Sequence, residues 1–366
     1  MKRLIITSVA ACVASLYSMA DITVKVAPEV AEKNFSVDMR YIDDMTKPRM
    51  ERPDAVMTDY TVTDGSFTIK TATDRNARYM IPTGDRSYIA IYTKPGDNLT
   101  VNLTSITPLN YSVSGTKLME DISNLDKAAS GVMEEYGRLM QSGNPSQESV
   151  EALQKKYNDI FTGFIAANPE SEGVAYALMQ LEGDDFMTVY NALTPAAKKS
   201  ILMPLADQQK KYVEKAIVMA KRKTELNSGN VMAPDFTYNT IDGKKVSLSD
   251  FRGKWVIIDF WGSWCPWCIK GFPKLKEAYA QYKPELEILG VACNDKPDAW
   301  EKALAKYELP WVNIYNPDVN GGKLMEEYAV EGFPTKVIVS PEGKIMNITS
   351  GEDPAFFEIL AKLIKK

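Results

Sequence analysis

Trp255-Val256-Ile257-Ile258-Asp259-Phe260-Trp261-Gly262-Ser263-Trp264-Cys265-Pro266-Trp267-Cys268 is the stretch on which the reading of this chain turns. Its first seven residues form an apolar run that predicts a buried strand. Proline at 266 suits a first helical position, where its missing N–H would have had no partner anyway. The two cysteines therefore stand where a strand gives way to a helix. A helix start carries unpaired N–H groups and a partial positive charge, and both favour thiolate over thiol. Cys265 is the expected nucleophile, and Cys268, about one turn further on, is placed to close a disulfide with it. The pattern implies thiol–disulfide exchange.

Composition narrows the field. The chain has 366 residues, 45% hydrophobic and 25% charged, enough for a substantial core in two or three domains. A net charge of −5 argues against nucleic acid as a partner, because phosphate binding needs a basic surface. No internal apolar run is long enough to span a bilayer. The first twenty residues differ: Met1-Lys2-Arg3 is a basic start, Leu4 to Leu16 is mostly apolar, and Ser18-Met19-Ala20 ends in small residues. A signal peptide over 1–20, cleaved after Ala20, is expected. A rival reading takes Val9-Ala10-Ala11-Cys12 as a lipobox with Cys12 lipidated. Both place the protein outside the cytosol, in a bacterial periplasm or cell envelope.

Export sharpens the cysteine count. Of four cysteines, Cys12 lies in the leader, which leaves one close pair and the single Cys293. An oxidising compartment with so few cysteines points to cysteine used for chemistry rather than for cross-linking. The chain has no histidine, which removes hydrolase triads, most zinc sites and the haem attachment pattern. No metal or cofactor is expected, the redox-active group being the cysteine pair itself. Cys293 ends a predicted core strand and reads as a buried, inert thiol.

Residues 21–116 read as a β-rich, antiparallel, sandwich-like domain. Ile22-Thr23-Val24-Lys25-Val26, Phe35 to Tyr41 and Leu99 to Leu103 alternate, and Asp64-Gly65 signals a hairpin between Tyr60-Thr61-Val62 and Phe67-Thr68-Ile69. Over 117–226 the period changes to that of helices: Leu118, Ile122, Leu125, Ala129, Val132, Tyr136 and Leu139 alternate spacings of four and three. Leu153, Tyr157, Ile160 and Phe164 repeat it after Pro145-Ser146, and further helices are expected over Gly173 to Leu181 and Pro195 to Arg222. This region is taken as a helical spacer. Its seam could serve an oligomeric coiled coil, but it is short and carries alanine and tyrosine, which favours a hairpin packed on its own protein. After Asn227-Ser228-Gly229-Asn230, residues 227–366 alternate strand and helix, then close with a hairpin and a last helix from Pro354 to Ile364. That order predicts an α/β, thioredoxin-like catalytic domain.

Residues from about 231 onward resemble the exported TlpA/ResA-type disulfide reductases of the thioredoxin-like family. The resemblance rests on Pro234-Asp235-Phe236, Gly243 to Leu248, Gly253-Lys254, Phe260-Trp261, the cysteine pair and Gly332-Phe333-Pro334-Thr335. The part before it resembles a DUF4369-type extension, through Tyr92 to Asp97 and Ser114-Gly115. The family resemblance implies a cis-proline at 334 beside the cysteines, with the Phe333 backbone turned out to pair with a substrate peptide. It implies protein thiols or disulfides as substrates and a membrane electron donor of the DsbD/CcdA type.

Asp259 lies six residues before Cys265. Buried beneath the dithiol, its pKa would rise and it would exchange a proton with Cys268, a role the resemblance supports. The plainer reading is a carboxylate that caps a strand end. Trp261, Trp264, Trp267 and Phe333 are expected to form an aromatic collar, as packing or as an apolar landing site for substrate, and Pro266 and Trp267 to tune the potential. Disulfide reduction is the favoured direction. The alternatives are an oxidase or isomerase, or a peptide- or glycan-binding module with an accessory thioredoxin domain.

Overall fold

The computed structural model describes residues 20–365, apart from 31–33, 72–73, 85–86, 144, 319–321 and 354. The expected signal peptide, Cys12 and the helix-opening Pro354 lie outside the described residues, save that Ala20 begins the first strand. The chain divides into two compact units, Met1–Glu214 and Lys215–Lys366. No helix among the described residues is long and apolar enough to cross a membrane.

The first unit opens with strands β1 (Ala20–Val26) and β2 (Asn34–Tyr41), the short helix α1 (Ile42–Met45), then β3 (Val56–Thr61), β4 (Ser66–Thr71), β5 (Ala77–Pro82), β6 (Tyr88–Thr93), β7 (Leu99–Ile106) and β8 (Leu109–Ser114). They form two four-stranded sheets, β4-β1-β7-β8 and β3-β2-β5-β6. All pairs are antiparallel except β1 with β7. Alternation decides the facing: Ile22, Val24, Val26, Ile69, Ile81, Ile89, Val101 and Leu103 are buried in one shared core.

The hairpin expected at Asp64-Gly65 is realised only at its tip. Asp64 and Gly65 both have positive φ (50° and 71°), and Thr63 and Ser66 exchange backbone hydrogen bonds at 2.9 and 3.1 Å. Beyond that bridge the strands part, β3 joining β2 and β4 joining β1. The turn forms as its residues predict, but the register beyond it follows the buried faces. β3 is exposed along most of its length, whereas Phe67, Ile69 and Thr71 of β4 are buried, so the two strands suit different sheets.

Helices α2 (Lys117–Gln141), α3 (Gln147–Ala167), α4 (Val174–Leu178), α5 (Gly183–Asn191) and α6 (Met203–Leu226) follow. The Ser146 side chain caps α3 by accepting from Ser149 N at 3.2 Å. Leu118, Ile122, Leu125 and Ala129 of α2, with Phe161 of α3, join the core of the sheets. The helix expected over Pro195 to Arg222 begins only at Met203; a 3-10 turn at Ala197–Lys199 precedes it. The boundary between the units falls within α6, because Met219 and Leu226 pack into the second unit's core and Arg222 Nε donates to Glu327 O at 3.2 Å.

The second unit holds β9 (Thr237–Thr240), β10 (Lys245–Ser247), β11 (Trp255–Trp261), α7 (Pro266–Tyr282), β12 (Leu286–Ala292), α8 (Pro297–Tyr307), β13 (Val312–Tyr315), α9 (Gly322–Glu327), β14 (Thr335–Val339), β15 (Ile345–Ser350) and α10 (Ala355–Ile364). Its seven strands run in the order β10-β9-β13-β12-β11-β14-β15. β11, β12 and β13 are parallel, while β14 and β15 are antiparallel to their neighbours. This is a thioredoxin-like α/β fold. One sheet face packs Ile257, Trp261, Ile288 and Ile338 with Phe272, Leu275, Phe356 and Leu360 of the helices; the other packs Val256, Ile258, Phe260 and Val337 with Leu324 and Tyr328.

Candidate active site

β11 lies inside the sheet between β12 and β14, and every residue in it after Trp255 is buried. A strand enclosed on both faces reads as a continuous apolar run, which is why Asp259 is conspicuous within it. The chain leaves β11 at Gly262, and Cys265 N closes a turn by donating to Gly262 O at 3.0 Å. Two anchors hold this turn. Ser263 N and Oγ donate to the Asp295 carboxylate at 2.5 and 2.7 Å, and Trp264 Nε1 donates to Cys293 O at 3.3 Å. Asp295 was not singled out from the sequence.

Cys265 is the N-cap of α7 and Pro266 its first residue. The Cys265 sulfur accepts from Cys268 N at 3.1 Å, one of the N–H groups a helix start leaves unpaired. Cys265 and Cys268 are joined by a disulfide with their Cα atoms 5.4 Å apart. Both are buried, and the exposed surface of the turn belongs to Trp264, Pro266 and Trp267, the two tryptophans at 50% and 61% exposure. The Phe333-Pro334 peptide is cis, as expected, and Phe333 packs edge-on against Trp264 at 5.2 Å. Lys270 Nζ lies 5.1 Å from the Trp267 ring. Trp261 does not join this collar. It is wholly buried and packs edge-on against Phe272, because it belongs to the strand's helix-facing row.

Asp259 shares that row. Side chains two apart on a strand face the same way, and Ile257 and Trp261 pack with Cys265, Cys268 and Phe272. The pairing register then lays out a polar line across the sheet. Asp259 lies opposite Gly290 of β12 and Lys336 of β14, and Gly290 lies opposite Asn313 of β13. Gly290 has no room for more: a Cβ there would come 2.5 Å from Asn313 Oδ1. Lys336 is itself buried and makes a 2.6 Å ion pair with Glu352, the residue two beyond the end of β15. Asp259 Oδ1 has no hydrogen-bond partner among the described residues. Burial pushes the Asp259 carboxyl up to about 6, with Lys336 pulling it down and Glu352 adding to the rise.

Cys293 is buried, and burial pushes its thiol up to about 12, which leaves it protonated at neutral pH. Its sulfur sits 3.6 Å from Val291 O and receives Asn316 Nδ2 at 3.9 Å. Among the described residues, no group of three or more acidic or cysteine side chains is placed to hold a metal ion.

Residues 230–348 match the family model described as AhpC/TSA. A thiol-disulfide oxidoreductase ResA of Bacillus thuringiensis subsp. konkukian is 32% identical over 135 residues, which cover 37% of this chain and 75% of that protein. The chain belongs to the ResA family of thiol-disulfide oxidoreductases. The ResA of Bacillus subtilis is 31% identical over 120 residues, 32% of this chain and 65% of its own length. A crystal structure of the thioredoxin domain of a thiol-disulfide oxidoreductase from Bacteroides vulgatus, 31% identical, covers 37% of this chain and 98% of its own, with a TM-score of 0.35. The ResA match makes this chain an oxidoreductase.

Besides Asp295, the sequence missed Lys336 and Glu352. Only Lys336 left a signal: a lysine in Thr335-Lys336-Val337-Ile338-Val339, a strand whose every residue is buried.

Proposed function

We propose that this protein is an exported reductase of protein disulfides, working through Cys265 and Cys268. In the reduced enzyme the Cys265 thiolate attacks one sulfur of a substrate disulfide. The substrate S–S bond breaks, an enzyme–substrate mixed disulfide forms, and the first substrate sulfur leaves as a thiolate that takes up a proton. Asp259 then accepts the Cys268 proton, and the Cys268 thiolate attacks Cys265 Sγ. The second substrate thiolate departs and the enzyme is left as the Cys265–Cys268 disulfide, having given up two electrons. A membrane donor of the DsbD/CcdA type restores the dithiol. Substrate peptide lies along Phe333 and Pro334, flanked by Trp264, Pro266 and Trp267. In this reading 227–366 is the catalytic domain, 21–116 a β-rich domain, 117–226 a helical spacer, and 1–20 a cleaved signal peptide.

The observation that carries this reading is the Cys265–Cys268 pair at the start of α7, with the Cys265 sulfur already receiving a helix N–H. Trapping tests it. Cys268→Ala is expected to accumulate substrate proteins as mixed disulfides in the cell envelope, and wild-type Cys265–Cys268 to be held mostly as the dithiol. A resident pair that is mostly oxidised reverses the direction and makes the protein an oxidase or isomerase. A purified Cys265→Ala variant that still cleaves insulin disulfides overturns the assignment of the nucleophile.

A further inference from the structure

A buried lysine and a buried aspartate on adjacent strands ordinarily pair, because each relieves the other's desolvation. Here they do not. Asp259 and Lys336 are register partners on β11 and β14, yet the ammonium of Lys336 is bound to Glu352 at 2.6 Å while Asp259 Oδ1 goes without a hydrogen bond among the described residues. Glu352 reaches this position through a gap in α7. Gly271 stands three residues after Cys268, and a Cβ added there would come 2.4 Å from Glu352 Oε1 and 2.9 Å from Oε2. The carboxylate thus occupies the space that a side chain at 271 would fill, against the helix that carries the dithiol.

We propose that Glu352 is a positioning residue for the disulfide exchange: by holding Lys336 it keeps the cation from closing on Asp259, and so leaves Asp259 free to take the Cys268 proton. The proposal rests on the reading of Asp259 as proton acceptor. It assigns opposite effects to the two members of one ion pair. With Glu352 present, burial governs Asp259 and pushes its carboxyl up to about 6. With Glu352 neutralised, Lys336 is left beside its register partner Asp259, whose carboxyl its charge already pulls down. A direct pair with a cation lowers a carboxyl pKa by about one to three, and an acid so stabilised in its ionised form is a weak proton acceptor at neutral pH. With Lys336 neutralised, Asp259 loses the cation that opposes its desolvation and its pKa rises. Two further titratable groups bear on Asp259 among the described residues: the dithiol on α7, which packs with Ile257 and Trp261 of the same strand row, and the Cys293 thiol, which senses the Asp259 charge and stays protonated.

The test is the pH profile of the resolving step. The full chain, with Cys265 preloaded as a mixed disulfide with a small cysteine peptide, is followed for peptide release between pH 4.5 and 9. In parallel, the Asp259 side-chain carboxyl is titrated by carbon NMR in the reduced protein. Wild type is expected to show one inflection in the rate that D259N removes. E352Q is expected to move that inflection about one pH unit lower and K336M about one unit higher, the carboxyl titration moving with each. D259N that removes the inflection while E352Q and K336M shift it the same way, or not at all, overturns the role of Glu352 and leaves that of Asp259 standing. D259N that retains the inflection overturns the Asp259 reading itself. Should E352Q leave an unpaired lysine that prevents folding, K336M/E352Q removes both charges. Its inflection is expected above that of wild type, and an unmoved one overturns the proposal.

Discussion

Each unit of this protein holds an aspartate whose carboxyl pKa is raised by desolvation, and the two are treated in opposite ways. In the first unit Asp126 of α2 accepts hydrogen bonds from the hydroxyls of Tyr111 and Tyr176. Burial raises its pKa and the two hydroxyls counter the rise. In the second unit Asp259 is enclosed more fully, yet one of its oxygens has no donor among the described residues and its neighbouring lysine is occupied elsewhere. A buried carboxylate whose lone pairs are satisfied ties elements together. One left short of donors holds its proton more tightly and is poised to exchange it. On this contrast Asp126 is a strut, and Asp259 fits the proton-acceptor role proposed for it.

The largest expected contrast is in rate. Asp259→Asn is expected to slow the resolving step about 100-fold near pH 7, the lower range for loss of a positioned proton acceptor. Asp126→Asn is expected to leave that rate unchanged, both read by single-turnover kinetics on purified protein. A comparable loss in both variants would erase the distinction.

The second contrast is in pH-dependent stability. A carboxyl whose folded pKa lies above its unfolded value contributes stability that is fully present below about pH 3.9 and lost as pH rises through about 6. The gap corresponds to at most about 3 kcal/mol. Asp259→Asn is therefore expected to stabilise the oxidised protein above pH 6 by up to that amount, relative to its effect at pH 4. Urea titrations at the two pH values check the sign, and a variant favoured more at pH 4 contradicts it.

Third, Asp126→Ala is expected to cost about 2 kcal/mol, since it strands two largely buried tyrosine hydroxyls. Denaturant unfolding followed through the first unit reads this loss, and a neutral result would mean the strut carries no load. Tyr111→Phe, which removes a single hydrogen bond, is expected to cost about 1 kcal/mol in the same measurement.

Much of this was legible in sequence because it is local. The apolar run of β11, proline after a helix-capping cysteine, the period of α2 and the turn at Asp64-Gly65 all depend on neighbours within a few residues, and they appear as expected. What was missed depends on residues far apart. Nothing near Tyr60 or Phe67 says that β3 and β4 will part into separate sheets; the pairing of β1 with both β4 and β7 decides it. Gly271 reads as an ordinary helix weakness until Glu352, from beyond β15, is found against it. Trp261 reads as part of an aromatic surface until its row on the sheet is known.

From residues alone came the chemistry: a dithiol at a helix start, a carboxylate in the strand that feeds it, and no histidine to share the work. These follow from side-chain identity and short spacings, which sequence records directly. Folding in three dimensions decided which charges meet. Whether Lys336 pairs with Asp259 or with Glu352 turns on strand register and on a missing side chain in α7, and electrostatic pairing depends on distance in space, to which distance along the chain is no guide.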